Sequence, residues 1–145
     1  MSANNRTAFD FTDPVVVMRI TLGVLYIPHI LFKLNGMEGA AAFFGKAGFE
    51  PAMLFVVLAL ITETLCAAGL IFNILTKWVG LMSAAVMGVA AYAVLATKGA
   101  HWLWNLGGLE YIALWGFLSV VIAAHAWREE RRNYGHFFLL FPHAA

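Results

Sequence analysis

Four long apolar runs constrain this chain more than any other feature. They cover roughly 14–34, 51–72, 77–96 and 106–127. At 1.5 Å of rise per residue, a helix of about 20 residues matches a hydrocarbon layer of about 30 Å. The first run opens on Asp13-Pro14 and the second on Glu50-Pro51, each an acid followed by a proline at a helix start. A water-soluble four-helix bundle needs a polar stripe on every helix. The third run has none, because between Trp78 and Leu95 only Ser83 and Tyr92 carry polar-capable groups. The predicted fold is therefore all-α, a bundle of four transmembrane helices.

Composition agrees. Hydrophobic residues make up 62% of the 145 residues and charged ones only 12%, against about 25% charged in soluble domains. The net charge of +1 offers no basic field to nucleic acid. A single cysteine, Cys66, cannot form an internal disulfide, and its apolar surroundings mark it as a buried thiol. No Cys-x-x-Cys-His, His-Glu-x-x-His or glycine-rich phosphate loop occurs, so the sequence assigns no metal site.

The segments between the runs differ. Residues 1–13 form a polar N-terminal segment with two aspartates, unlike a cleavable signal. The first loop, Asn35 to Glu50, carries four glycines around Ala40-Ala41-Ala42-Phe43-Phe44 and reads as a short interfacial helix between hinges. Asn73 to Thr76 is a tight turn, and His101, Trp102 and Trp104 mark a headgroup-level belt. Residues 128–145 form a tail, first charged (Arg128 to Arg132) and then apolar (Phe137 to Phe141). Its apolar end suits the interface or a partner subunit. With both termini on one side, Arg6, Lys77, Arg128, Arg131 and Arg132 stand against Lys33, Lys46 and Lys98. This bias predicts cytoplasmic termini.

Ionisable groups inside a bilayer are expensive unless paired, so each is a candidate functional residue. Arg19, Tyr26, His29 and Lys33 share an arc of about 80° on the first helix and face the bundle interior. Pro28 lies within this helix and is expected to kink the stripe. Depths counted from the span ends place Arg19 about 8 Å and Glu63 about 14 Å from the inner edge. His29, Lys33 and Glu110 fall near the outer edge. Two polar layers are predicted: a structural Arg19–Glu63 ion pair, and an outer cluster of His29, Lys33 and Glu110 fit for a ligand or proton. Gly80, Ala84, Gly88 and Ala91 are expected to form a close-packing face. Haem is disfavoured, because His29 and His125 lie about 20 Å apart in depth and cannot both ligate one porphyrin.

The pattern Arg19-x-x-Leu22-Gly23-x-x-Tyr26-x-x-His29-x-x-x-Lys33 resembles the opening signature of the DoxX/DoxD-like family of small bacterial membrane proteins. The resemblance extends over about Pro14 to Trp127 through Gly48-Phe49-Glu50-Pro51, Glu63, the turn Asn73 to Lys77 and Gly107-Gly108-Leu109-Glu110. Ile30 stands where the family often has glycine, and the family's usual C-terminal Gly-Pro-Gly stretch is missing. The resemblance implies a bacterial inner-membrane protein. Some members are membrane subunits of thiosulfate:quinone oxidoreductase, and others are associated with membrane redox stress complexes. The leading expectation is a membrane subunit of a quinone-linked redox complex. Tyr26, His29, Lys33 and Glu110 would surround the quinone head, and a partner subunit would carry the electrons. The alternative is a non-catalytic accessory or assembly subunit packed against a larger membrane complex.

Overall fold

The computed structural model describes residues 8–135. The apolar tail segment Phe137 to Phe141, offered above to a partner, lies outside them. Five α-helices follow in order: α1 (Pro14–Asn35), α2 (Met37–Lys46), α3 (Ala52–Phe72), α4 (Thr76–Lys98) and α5 (Glu110–Tyr134). All but α2 are long and apolar enough to cross a membrane. The α2 helix sits where the first loop predicts a short one.

Helix starts follow local chemistry. The Asp13 carboxylate accepts the Val15 amide at 2.9 Å, with Pro14 opening α1. The Glu50 carboxylate accepts the Ala52 amide at 3.1 Å from one residue outside the N-cap, and here the proline, Pro51, is the N-cap itself rather than the first helical residue. The turn between α3 and α4 is closed by Asn73 and Leu75, both with positive φ, and by the Thr76 hydroxyl on Asn73 Oδ1 at 2.7 Å. The α1 helix continues unbroken through Pro28.

Two boundaries differ from the sequence expectation. The fourth span begins at Glu110 rather than Leu106, because Trp104–Leu106 is a 3-10 turn ending on Gly107 with φ +71°. Backbone bonds from Leu109 to His101 and from Glu110 to Trp102 tie this connection down. At its other end α5 does not stop at Trp127. It runs through the charged segment to Tyr134, because Glu130 faces back into the bundle toward Lys77.

The α1 helix packs mainly on α3 and α4 mainly on α5, while the α3–α4 pair joins the two halves and α2 lies on α3. Small residues set the approach. A Cβ on Gly80 would stand 2.9 Å from the Ser119 carbonyl of α5, so only glycine allows this contact. The buried face of α4 is Val79, Gly80, Ser83, Met87 and Ala93. Gly88 lies off that face with open space beside it, which corrects the expected stripe of Gly80, Ala84, Gly88 and Ala91: at about 100° per residue Gly88 falls about 80° around the helix from Gly80. Leu22, Cys66, Leu70, Trp115 and Ile122 fill the main core. Outward faces are apolar, with Phe32 75% and Phe117 65% exposed, as lipid contact requires.

Candidate functional site at the α2 end of the bundle

The register between α1 and α3 decides which charges meet. A Cβ on Gly23 would press against Ile71 and the Ala67 carbonyl, so the two antiparallel helices are locked there. Counting about ten residues along each helix brings Lys33 level with the first half of α3, about one turn from Glu63. Lysine side chains lean toward the N-terminus of their own helix. The Lys33 ammonium thus reaches both Glu63 oxygens, at 2.8 and 2.9 Å. The side chains are 15% and 9% exposed, so the pair is mostly buried yet still reachable.

This arrangement corrects the expected Arg19–Glu63 pair. Arg19 instead gives its guanidinium to the carbonyls of Leu70 and Ile71 at the C-terminal end of α3, and to the Ala8 carbonyl of the N-terminal segment. A helix C-terminus carries unsatisfied carbonyls and partial negative charge, which suits a buried cation. Depths counted from span ends assume helices that start flush. Here the first turns of α3 rise beside α2, where Ala40 and Phe44 pack on Val56, so Glu63 lies level with Lys33 rather than Arg19.

Tyr26 is fully buried and bound to Ser83 at 2.7 Å. Ser83 meets Ser119 at 2.8 Å, and Ser119 donates to the Trp115 carbonyl at 2.9 Å. The last bond sets the direction of the rest. Ser119 has one hydroxyl hydrogen, so Ser83 must donate to Ser119 and Tyr26 to Ser83. The Tyr26 hydroxyl therefore has no hydrogen left for a ligand. The structure thus takes Tyr26 out of the expected set around the head group: it is absent from the cleft lining and closes the bundle between α1, α4 and α5.

The other three predicted residues do converge. His29, Lys33 and Glu110 line one cleft of about 1450 Å³, whose wall also holds Glu63, Phe49 and Trp115. His29 is exposed and sets its ring edge against Trp115, with centroids 5.6 Å apart. Glu110 accepts the Trp104 amide at 2.9 Å and so holds the connection before α5 at the cleft mouth. Phe43, Phe44, Phe49 and Phe55 give the cleft an apolar side next to its polar end. Among the described residues no three His, Cys, Asp or Glu side chains could hold a metal. His125 stands 3.8 Å from Glu129, far along α5 from His29.

Sequence reasoning missed three features. Lys77 and Glu130 form a second ion pair, at 2.6 and 2.8 Å, only 5% and 8% exposed. It hides in the sequence because Glu130 sits in a charged run that reads as a solvated stop. Ser119 and Trp115 sit inside an apolar run with no flanking signal.

The family match concerns the first three spans. The DoxX family model matches residues 15–96, more than half of the chain. A Bacillus subtilis (strain 168) protein named "Putative oxidoreductase CatD" is 31% identical over 74 residues, which cover 51% of this chain and 54% of that protein. The chain thus spans about half the length of the curated relative it matches. No solved structure matches the chain. The Arg19-to-Lys33 stripe on α1, the Glu63 it meets on α3 and the family match over the same helices converge: this four-span membrane protein belongs to the DoxX family.

Proposed function

We propose that this protein is a membrane subunit of a quinone-linked redox complex in a bacterial inner membrane, with both termini on the cytoplasmic side. One observation carries the reading: an apolar cleft among the spanning helices ends on an ion pair and an exposed imidazole. A quinone has this polarity, with an apolar tail and a ring bearing two acceptor oxygens. The residues present fit it. His29 and Lys33 offer donors at the polar end, and the phenylalanines offer a dry path for a tail. A bound quinone supplies two-electron chemistry, and the electrons come from a partner subunit.

The chain's own contribution is binding and proton handling. His29 donates to a ring oxygen. Glu63 holds the Lys33 ammonium toward the same end, where the ammonium would donate to the ring and could pass it a proton. Glu110 is committed to the Trp104 amide and fixes the mouth of the cleft. The name of the Bacillus subtilis relative, "Putative oxidoreductase CatD", supports a redox role.

The test is turnover of the native complex purified with this subunit. His29→Ala is expected to lower quinone-dependent turnover at least tenfold while the complex stays assembled. Unchanged turnover in an assembled complex would sink the quinone site and leave the chain as an accessory subunit.

A further inference from the structure

We infer that the Trp115 indole N–H is a ligand donor of the cleft, matched to an oxygen on a planar ring; the assignment rests on the quinone reading above. Trp115 is 2% exposed and forms part of the cleft wall. Its Nε1 is buried and meets no acceptor among the described residues. A buried N–H without an acceptor is unfavourable, and a bilayer interior offers no water to relieve it. Phenylalanine would fill the same wall with no such penalty. An unmatched donor beside a cleft is therefore a site completed by what enters the cleft.

The surrounding rings say how an acceptor arrives. Tyr26, His29 and Tyr111 pack on Trp115 with centroids 4.7, 5.6 and 5.5 Å away. Tyr26 is held to Ser83 at 2.7 Å and cannot yield. His29 and Tyr111 are both exposed, so these rings move aside when the oxygen approaches. Trp115 and His29 then present two neighbouring donors, one rigid and one mobile. Such a pair favours a ring bearing two oxygens over a phenol with one. A flat ring also finds aromatic edges and faces to stack on. The class of ligand is thus narrowed to a lipid-soluble ring dicarbonyl or its reduced diol.

The experiment uses the full chain in lipid nanodiscs and two probes, decylubiquinone and decylbenzene, which lacks the ring oxygens. Trp115→Phe is expected to weaken decylubiquinone binding about fivefold, the worth of one ordinary hydrogen bond, and to leave decylbenzene binding unchanged. Its thermal unfolding midpoint should hold or rise, because an unmatched N–H has been removed. The wild-type chain gives a second readout. With isotope-labelled indole nitrogens, one of the five tryptophan N–H resonances should shift downfield with decylubiquinone and not with decylbenzene. Equal decylubiquinone binding by Trp115→Phe, or equal loss of both probes, overturns the donor role while the quinone reading stands. No decylubiquinone binding by the wild-type chain defeats both.

Discussion

The two ends of the bundle treat charge in opposite ways. At the end holding the α3–α4 turn, the charges turned into the bundle are closed off. Arg19 is bound to carbonyls, and the Lys77–Glu130 pair is nearly free of solvent, with Lys77 Nζ 5.7 Å from the Trp78 ring and that ring tilted against Trp127, centroids 5.6 Å apart. The Tyr26–Ser83–Ser119 chain, with all its hydrogens committed, caps that region. At the α2 end the pair Lys33–Glu63 is reachable, His29 is exposed and Trp115 keeps an unmatched donor. The helices are similar and so are the ion pairs. The difference is access, set by α2 and the α4–α5 connection standing apart enough to leave a cleft. A charge sealed in a dry core serves packing, whereas a charge at the end of an open apolar cleft can serve a ligand.

The largest expected effect breaks the closed end. Lys77→Met removes the ammonium that meets both Glu130 oxygens in a buried site, and should lower stability by about 3–5 kcal/mol. Thermal unfolding in detergent checks this, and the double variant Lys77→Met/Glu130→Leu should recover most of the loss. If the single variant melts with the wild type, the pair is not the clamp that its burial implies. A smaller effect sharpens the boundary between the ends. Tyr26→Phe removes one buried hydroxyl bond and should destabilise by about 0.5–1.5 kcal/mol. Decylubiquinone affinity should stay within twofold of wild type, because that hydroxyl donates to Ser83 and not into the cleft. A tenfold loss of affinity would return Tyr26 to the ligand set.

Much of this architecture is legible in residue order, and the rest fails for identifiable reasons. Run length and the absence of a polar stripe give the four spanning helices, and glycines around an apolar patch give α2. His29, Lys33 and Glu110 are readable as neighbours because the C-terminal end of α1 and the N-terminal end of α5 lie on the same side of the bundle. Glu63 is misassigned because depth along one helix does not fix its register on another; the contact of Gly23 with Ala67 and Ile71 does, and that is a tertiary fact. Glu130 is invisible for the opposite reason: its charged neighbours suggest water, and only the continuation of α5 turns it inward. Tyr26 shows a subtler limit. Its position on the polar stripe is right, but the direction of its hydroxyl depends on two serines from other helices.

The central claim is that the α2 end is the working end. Two double variants test it with little danger of unfolding, since each replaces an ion pair by apolar side chains and leaves no lone charge. Decylubiquinone affinity in nanodiscs is the measurement, taken for Lys33→Met/Glu63→Leu and for Lys77→Met/Glu130→Leu. The account requires the first variant to bind at least tenfold more weakly than wild type and the second to bind like wild type. Wild-type affinity in the first variant, or a larger loss in the second, would contradict it.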